Sequence, residues 1–401
     1  MMSIVALRRG GAAAVAAWMM LGASTESQAQ WTVTYLHPAG TERSMCYSVQ
    51  GGVEAGVIFI GNNFRAAYWN GTAASMVDLN PTDAFQSKAW GALGGLQVGD
   101  TYIAALGPIT RAVIWNGAPD SWTDLHPAGA SYSSARDLDA AHQVGVVYFG
   151  TDRRASLWTG TAASWVNLHP PAATDSEARR VDNGQQVGWA LISGLRRASL
   201  WTGTAASWVN LHPPTSFFSE ASGVHNDRQV GWATVGGPQH ACMWTGTAES
   251  FVDLHPDGVD RSEAYSIYNN HQVGMVVIND VWRAALWTDT PESWEDLAAE
   301  LTGTWSESVA EDVWDDGQTL YVAGWGFSVD NDRYEALLWT RPLAPACTGD
   351  INGDGSTNAA DFTILAGNFG SNVPPNTGGD LNGDGIVNAA DFTILAGDFG
   401  C

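Results

Sequence analysis

The sequence has almost no lysine, since Lys88 is the only one, and it holds 18 basic residues against 42 acidic residues. The resulting formal net charge is -24 at pH 7. Nucleic acid and anionic membrane surfaces are poor partners for such a chain, because both carry the same sign of charge. The composition therefore disfavours nucleic acid and anionic membrane surfaces as partners and leaves the binding of metal cations open.

Long apolar runs are missing after the first residues, so the sequence predicts no membrane span. The N-terminus is different, because Arg8 and Arg9 precede a small, apolar stretch at 11–22 and a small-x-small cleavage site at 27–29. This order is typical of an export signal over residues 1–29, and the residues after the Arg pair favour the general secretory route over the twin-arginine route. We expect an exported protein in the extracellular space or on the cell surface, with the periplasm as an alternative.

The dominant feature of the chain is a repeat with a period of about 43 residues. Residues 153–171 and 196–214 are the same nineteen residues, RRASLWTGTAASWVNLHPP. One Trp position recurs in seven copies: Trp69, Trp115, Trp158, Trp201, Trp244, Trp287 and Trp339. A residue that recurs in every copy is typical of packing rather than ligand contact, so we assign these Trp to the core.

Each copy divides into four short strand patterns, A to D, separated by turn residues. In the copy that starts at Ser176, the patterns cover residues 176–181, 186–192, 197–202 and 207–211. The Asp-Asn-Gly between A and B is typical of a tight hairpin turn. No helical period occurs before residue 350, so this part of the chain is predicted to be all-β.

The number of strand patterns indicates how the array ends. Patterns A and C occur seven times, whereas D follows only six of the C patterns. The missing D pattern lies at the start of the chain, in residues 33–36. A chain that begins with the last strand of its final unit can close a ring, which removes exposed sheet edges. We predict a seven-bladed β-propeller over residues 30–341, closed by the N-terminal strand.

Segments such as NDRQVG (226–231) followed by QHACMW (239–244) carry a family resemblance. They are similar to extracellular HAF repeats, although an Arg usually stands where that family has His. The resemblance covers residues 31–340. It implies an exported, propeller-like protein and carries no assigned chemistry.

The composition changes at Cys347, after a linker at 342–346, and two near-copies of a loop-helix segment follow 30 residues apart. Short oxygen-bearing side chains alternate along each loop, and Gly355 and Gly385 stand where the loop must turn sharply. Calcium requires six to eight oxygen ligands, and such an alternation supplies them, with a backbone carbonyl at the seventh position. The candidate ligands are Asp350, Asn352, Asp354, Ser356, Asn358 and Asp361 in the first loop and Asp380, Asn382, Asp384, Ile386, Asn388 and Asp391 in the second.

These loops resemble the duplicated loop-helix unit of type I dockerins, in which Asp ends each loop. The resemblance implies a small α domain over residues 347–401 that folds around two calcium ions. It also implies a cohesin-like or cell-surface protein as the partner. The loop positions that often contact cohesin in that family are Ala359-Ala360 and Ala389-Ala390 here, so the contact surface is predicted to be apolar there.

The four Cys fall into two groups. Cys46 lies on strand A of the first blade and Cys242 on strand C of the fifth, and a disulfide requires Cα atoms within about 7 Å, so we predict two free buried thiols. Cys347 and Cys401 flank the duplicated unit, whose two ends come together in a pseudo-symmetric loop-helix pair. In an exported chain this favours a disulfide over two unpaired thiols.

Two other recurring features are given structural roles. A His precedes Pro in five copies, and residues spaced one per blade lie too far apart around a ring for one metal site, so we expect turn capping. An Arg before strand C and an Asp or Asn at the end of strand D also recur together. They predict a hydrogen-bonded pair within each blade.

Residues that differ between blades are the candidates for ligand binding. The B–C and D–A loops vary in every copy and share one face, where the fourth position of strand A lines the channel mouth. In six blades this position holds Tyr47, Trp90, Arg136, Arg179, Tyr265 and Glu311. Aromatic and Arg groups in a concave mouth are typical of a glycan or peptide site. The alternative interpretation is that the residue type varies at these positions because no function constrains it.

Two functions are compatible with these features. The first is an exported non-catalytic binding or scaffold protein, whose propeller presents a recognition face and whose calcium-dependent module attaches it to a partner. The second is a carbohydrate-active enzyme, a polysaccharide hydrolase or lyase, because dockerins often accompany such enzymes. Near-identical blades favour the first, since an active site requires specific residues held by equally specific neighbours.

Overall fold

The structure, a computed structural model, describes residues 30–343, 347–353 and 356–401. The expected export signal at 1–29, most of the linker and the candidate ligand Asp354 lie outside these residues. The described chain forms seven four-stranded antiparallel sheets and two α-helices. This confirms the predicted fold class, a seven-bladed β-propeller followed by a small helical module. In the part of the chain that is described, no helix is long and apolar enough to cross a membrane.

Within each blade the strands follow one another in chain order from the channel to the rim, except that blade 7 takes its rim strand from the N-terminus. Blades 1 and 2 comprise β2 (Arg43–Gln50), β3 (Val53–Ile60), β4 (Asn63–Trp69) and β5 (Val77–Asp78), then β6 (Gln86–Leu93), β7 (Leu96–Tyr102), β8 (Thr110–Trp115) and β9 (Thr123–Asp124). Blades 3 and 4 comprise β10 (Tyr132–Leu138), β11 (Gln143–Phe149), β12 (Asp152–Trp158) and β13 (Val166–Asn167), then β14 (Ala173–Asp182), β15 (Gln185–Ile192), β16 (Leu195–Trp201) and β17 (Val209–Asn210). Blades 5 and 6 comprise β18 (Ser219–His225), β19 (Arg228–Thr234), β20 (Gln239–Trp244) and β21 (Val252–Asp253), then β22 (Arg261–Tyr268), β23 (His271–Ile278), β24 (Val281–Trp287) and β25 (Glu295–Asp296). Blade 7 comprises β26 (Trp305–Asp315), β27 (Thr319–Ser328), β28 (Arg333–Pro342) and β1 (Thr32–Tyr35).

The ring is closed at both its inner and its outer edge. The first strands of neighbouring blades contact one another all the way around, from β2 against β6 to β26 against β2. At the rim, β1 pairs antiparallel with β28, from Thr32 opposite Thr340 to Tyr35 opposite Leu337. The predicted closure by the N-terminal strand is therefore confirmed, and it covers an edge of β28 that would otherwise be open to other chains.

The core lies between the blades. All seven recurring Trp are completely buried, as their repetition predicted. Trp201 of blade 4, for example, packs against Val144 and Leu157 of blade 3. Cys46 and Cys242 are buried free thiols within two such clusters. Since burying apolar area is the main stabilising contribution to folding, each blade depends on its neighbour for much of its stability.

A Ser at the start of every first strand joins successive blades. Its Oγ accepts a hydrogen bond from a backbone N–H in the third strand of the preceding blade, as Ser219 does from Ala198 at 2.9 Å. Ser44 makes this contact across the ring closure, from Ala336 at 3.0 Å. The His before Pro supports it, because Nδ1 of His212 lies 2.7 Å from the Ser219 Oγ. These His residues thus have the structural role expected of them.

The fourth strands are shorter than the sequence pattern predicts. In blade 4 the expected strand 207–211 contracts to Val209–Asn210, because residues 205–207 form a 3-10 turn. Ser207 stabilises this turn by donating its hydroxyl proton to the Thr204 carbonyl oxygen at 2.7 Å. A hydroxyl that bonds to nearby backbone competes with the sheet ladder, which explains the difference.

In the described blades, the expected pair between the recurring Arg and the Asp or Asn at the end of strand D forms only where the latter is Asp. Arg65 and Asp78 form it at 2.6 Å. In blade 3 the corresponding residue is Asn167, and Arg154 pairs with Asp152 instead. A neutral amide does not compete with a nearby carboxylate for a guanidinium.

The C-terminal module is a pseudo-symmetric pair of loops and helices, α1 (Ala359–Asn368) and α2 (Ala389–Gly397). The chain after α1 pairs with the second loop, where the Gly370 N–H donates to the Val387 carbonyl at 2.8 Å. The chain after α2 pairs in the same way with the first loop, where the Gly400 N–H donates to the Thr357 carbonyl at 2.9 Å. A disulfide joins Cys347 to Cys401 and holds the two ends of the module together.

Candidate functional site

The first strand of every blade contains a β-bulge at the same place. In blade 4, Ala178 pairs with Gly188 and Arg180 pairs with Val187, so Arg179 is the extra residue. The extra residues of the other blades are Tyr47, Trp90, Arg136, Ser222, Tyr265 and Glu311. A bulge bends the strand and re-aims the side chain of the extra residue. The candidate residues identified from the sequence are therefore the bulged residues of six blades.

A glycine in the second strand permits each bulge. A Cβ atom at Gly188 would lie 2.0 Å from the Glu177 carbonyl oxygen, which no side chain can tolerate. Glycine also occupies the matching position of the other blades: Gly56, Gly99, Gly145, Gly231, Gly274 and Gly324. The repeated Gln-Val-Gly of the sequence is thus explained by the close approach of the bulged strand.

The seven bulged side chains surround one cavity of about 600 Å³ at one mouth of the central channel. We call this cavity the bulge pocket. Its wall also includes Arg196, Trp232 and Gln239, which lie near the variable connections between second and third strands. The structure thus brings all six candidate residues to one site on the variable face. The volume lies within the range of small-molecule sites.

Arg180, the residue after the bulge in blade 4, separates the bulge pocket from a second cavity of about 460 Å³ at the opposite mouth. Its Nη1 atom lies 3.3 Å from Asp312 and 3.8 Å from Asp137, which belong to blades 7 and 3. Its Nη2 donates to the carbonyl oxygen of Glu311 at 3.2 Å. Because one guanidinium bridges three blades, the channel is divided by an ion-pair network.

The wall over blades 3 to 5 consists of buried carboxylates and Arg residues. Glu177 is fully buried, and Arg136 donates to it through Nε at 2.9 Å, while Arg153 contacts its second oxygen. Burial alone raises the pKa of Glu177, but Arg179, Arg136 and Arg153 outweigh it and hold the pKa at about 2. The carboxylate is therefore ionised at neutral pH.

The wall over blades 1 and 2 is aromatic. The rings of Tyr47 and Trp90 lie 4.8 Å apart, and the Arg136 guanidinium lies 4.7 Å from the Trp90 ring. Trp90 donates its indole N–H to Asp100 at 2.8 Å. Lys88 lies 5.5 Å from the same ring, so two cations contact Trp90.

The wall over blades 6 and 7 carries two carboxyl groups whose pKa is shifted in the opposite direction to that of Glu177. Tyr265 donates to Glu263 at 3.1 Å, and Trp325 donates to Glu311 at 2.8 Å. Burial raises the pKa of both Glu263 and Glu311 from the ordinary value of glutamate. These two groups therefore accept a proton more readily than Glu177 does.

Sequence reasoning missed the partners of the bulged residues. Glu177, Glu220 and Glu263 stand at the same position of three successive blades and hold the Arg or Tyr of the pocket. Their spacing of 43 residues was a signal that could have identified them, because the same acidic residue recurs only in these copies. Arg153 and Arg196 gave no comparable signal, since each stands beside a second Arg that recurs in five blades.

The loops of the C-terminal module provide a donor set that fits calcium. Asp391 is fully buried, and its oxygens accept the backbone N–H groups of Leu381 at 2.9 Å and Asn388 at 2.8 Å, which folds the loop around it. Asp361 has the same role in the first loop. Carboxylate, amide and carbonyl oxygens are the ligands that calcium prefers. When bound, the ion would neutralise carboxylates that otherwise repel one another.

Residues 348–399 match the dockerin type I domain family. Such domains typically bind calcium and attach to cohesins, and their presence is typical of extracellular or cell-surface proteins. No curated protein matches the sequence.

Solved structures support the propeller fold. The β-propeller domain of the Trilobed protease from Pyrococcus furiosus has a TM-score of 0.52 and 9% identity, with 76% of this chain and 98% of that domain covered. It is described as having an open velcro topology. An acylaminoacyl peptidase has a TM-score of 0.52 and 10% identity over 76% of this chain, and puromycin hydrolase 0.50 and 11% over 74%. The match covers only 52% of either of these two proteins, and identities this low show the fold alone.

Proposed function

We propose that this chain is an exported, non-catalytic binding protein, which holds a glycan or peptide in the bulge pocket and is attached to a partner by its dockerin domain. The observation that carries this proposal is the placement of the blade-specific side chains. The seven bulged residues are of five different types, whereas the surrounding repeat is nearly constant, and all seven meet at one cavity. Variation of residue type that is confined to the lining of a cavity is typical of a ligand-recognition site.

The dockerin domain supports a cohesin as the partner. Phe362 and Phe392, one from each helix, are 44% and 43% exposed, and their rings lie 6.0 Å apart. The flanking Ala359-Ala360 and Ala389-Ala390 add small apolar side chains. An exposed apolar surface of this kind is typical of a protein contact site, and calcium in both loops would hold the two helices in place.

Export is part of the same proposal. The segment 1–29 has the order of a signal peptide, and a dockerin functions outside the cell. The likeness of the blades to HAF repeats supports the same location, because that repeat type is extracellular.

A carbohydrate-active enzyme is the second candidate, and one observation favours it. Glu263 and Glu311 line the bulge pocket together with Tyr265, and both have a raised pKa. A glutamate with a raised pKa can act as a general acid, and hydrolases of glycosidic bonds use paired carboxyl groups. The hydrogen bonds from Tyr265 and Trp325 equally suit a structural role.

Binding and turnover assays on one preparation distinguish the two candidates. We expect the protein to bind on a glycan and peptide array, to release no product from a polysaccharide panel, and to bind at least one type I cohesin in calcium. Trp90→Ala should weaken ligand binding at least tenfold, as truncation of an aromatic anchor does, with Leu96→Ala on the opposite face as control. Product release that is lost in Glu311→Gln would establish the enzyme instead. Equal effects of the Trp90 and Leu96 changes would place the ligand elsewhere.

A further inference from the structure

The wall of the bulge pocket over blades 3 to 5 contains more positive than negative charge. Two buried carboxylates, Glu177 and Glu220, together hold four guanidinium groups. The pairs are Arg136 and Arg153 on Glu177, and Arg179 and Arg196 on Glu220. Within this group of six, four positive charges against two negative charges leave an excess of two. Arg180, which also lines the pocket, has Asp137 and Asp312 as its own partners. This excess stands out in a chain whose formal net charge is -24.

Packing and burial hold these guanidinium groups in place. The Trp189 ring, which is 3% exposed, lies between two of the guanidiniums, with Arg153 at 4.7 Å and Arg196 at 4.4 Å from its centroid. Glu177 has no exposed side-chain surface and Glu220 only 4%. Charges held in this way need no reorganisation when a ligand arrives, which reduces the entropy lost on binding.

The two bulged Arg residues contact their carboxylates in a particular way. Arg136 and Arg179 both use Nε, at 2.9 Å from Glu177 and Glu220 respectively. Arg153 and Arg196 use a terminal nitrogen instead. The terminal Nη groups of the two bulged residues therefore stay available to the pocket, and their side chains are 22% and 41% exposed there.

The two carboxyl groups of the opposite wall have partners of their own, because Arg261 lies 3.8 Å from Glu263 and Trp325 donates to Glu311 at 2.8 Å. Glu263 and Glu311 have raised pKa values because of burial, so their negative charge is disfavoured. Glu177, in contrast, stays ionised and keeps its Arg residues in place. The pocket thus has a cationic side and a side that is more easily neutral.

We propose that the bulge pocket takes a carboxylated oligosaccharide, with a uronic-acid carboxylate bound by the Nη groups of Arg136 and Arg179. The inference rests on the proposed binding function and adds the chemical class of the ligand. A guanidinium matches a planar carboxylate with two parallel hydrogen bonds.

The remaining lining favours a sugar over an acidic peptide. Tyr47, Tyr265 and Trp232 supply rings, and Ser222 and Gln239 supply hydrogen-bonding groups. Rings together with neutral polar groups suit the apolar faces and hydroxyls of a saccharide. A poly-acidic peptide would bring several carboxylates but no apolar face for these rings.

The test measures binding of the full calcium-loaded protein by titration calorimetry. The probes are hexuronic-acid trimers and tetramers from alginate and pectate, neutral hexose oligomers of the same lengths, sodium sulfate, and tri-glutamate. We expect binding of at least one uronic-acid series, weakened by added NaCl, and no binding of the other probes. Charge-assisted hydrogen bonds predict that Arg179→Gln and Arg136→Gln each weaken this binding about 10- to 100-fold.

The variants are chosen so that the fold survives. Arg179→Gln leaves Glu220 paired with Arg196, and Arg136→Gln leaves Glu177 paired with Arg153. Arg283→Gln is the matched control, because it removes the same charge from an Arg–Asp pair outside the pocket. Circular dichroism of all three variants should match the wild type.

The other outcomes contradict the inference on charge, the saccharide assignment or the binding function. If neutral oligomers bind as tightly as the charged ones and depend on Trp90 but not on Arg179, the inference on charge fails and the binding function stands. Binding of tri-glutamate or sulfate through Arg179, without the uronic acids, also defeats the saccharide assignment. If no probe and no array ligand binds at the pocket, the proposed function fails as well.

Discussion

Glu54 is an acidic residue at a position where five other blades carry Gln. In blade 4 the Gln186 side chain accepts from the Gly203 N–H at 2.7 Å and donates to the Gly184 carbonyl at 2.8 Å. Glu54 keeps the first contact, from the Gly71 N–H at 2.8 Å, but an ionised carboxylate cannot donate the second. Burial raises its pKa from 4.5 to about 7. The side chain is 1% exposed, so its ionisation weakens the fold.

We predict that Glu54→Gln stabilises the protein at alkaline pH and has little effect near pH 4.5. Because the folded pKa lies above the unfolded one, wild-type stability is complete below about pH 4.5 and falls as the pH rises through 7. The full shift corresponds to about 3 kcal/mol, or about 5 °C in Tm for a domain of this size.

The measurement is thermal unfolding of wild type and variant from pH 4 to pH 9, with Gln97→Glu as the reciprocal variant. Gln97 is fully buried at the same position of blade 2, so its replacement should introduce the pH dependence that the first change removes. A constant difference in Tm across this range would show that Glu54 does not titrate as described.

At the scale of secondary structure, β1 decides whether the propeller is a ring or an open array. Its four residues pair with β28, and the following Leu36 is completely buried in a cluster with Trp69. Tyr35 adds a hydrogen bond to the Thr302 hydroxyl at 2.8 Å. These contacts join the two ends of the propeller chain, so their loss affects the closure rather than any single blade.

We predict that a chain starting at Ala39, which lacks β1, unfolds at a Tm about 5–10 °C lower and self-associates. The lost burial of Leu36 and neighbouring side chains lowers stability, and the open edge of β28 offers a pairing surface. Scanning calorimetry and light scattering measure the two effects. A chain ending at residue 343 is the control, because it is shorter but keeps the ring. A monomer with unchanged Tm would contradict the role of β1.

At the scale of the whole molecule, the chain joins two modules that are stabilised by different means. The propeller has a core of buried Trp between every pair of blades. Among its described residues, the C-terminal module has a core of three fully buried apolar side chains, Leu365, Val387 and Leu395, beside loops rich in Asp. So small a core rarely suffices alone, and metal ions and disulfides are the usual supplements.

We predict that chelation of calcium unfolds the C-terminal module and leaves the propeller folded. Calorimetry of the full chain should show a transition that shifts to lower temperature in chelator, together with a loss of helical circular dichroism. Asp391→Ala should reduce the calcium stoichiometry from two to one. A module transition that chelator does not move would contradict calcium-coupled folding.

The disulfide supplies a separate test of the same module. Cys347 and Cys401 are 54 residues apart, and closing a loop of this length is worth about 4 kcal/mol in the chain-entropy model. Cys401→Ser should therefore lower the Tm of the module with calcium still bound. An unchanged Tm would show that calcium alone holds the ends together.

The architecture could be predicted from the sequence because it follows from local patterns and from counting. The repeated strand patterns, the seven Trp and the displaced fourth strand at residues 33–36 were sufficient for the number of blades and the closure. The loop residues of the C-terminal module were equally explicit, since calcium ligands lie close together in the chain. Features that depend on residues close together in the chain can be predicted from the sequence alone.

The position of the candidate pocket could also be predicted, but not its chemistry. The fourth residue of strand A was identified by its variation, and the structure adds that it is a bulged residue opposite a glycine. The charge of the pocket depends on contacts between blades. Arg136 contacts Glu177 of the next blade, and Arg180 contacts Asp312 on the far side of the ring.

The sequence by itself thus determined the repeat, the ring closure and the calcium-loop pattern, because each depends on spacing along the chain. Only the tertiary structure decided which charges meet at the channel and which stay in excess. The physical reason is distance: residues 41 or more positions apart in the chain interact here at 2.9–3.3 Å, and no local pattern encodes those pairings.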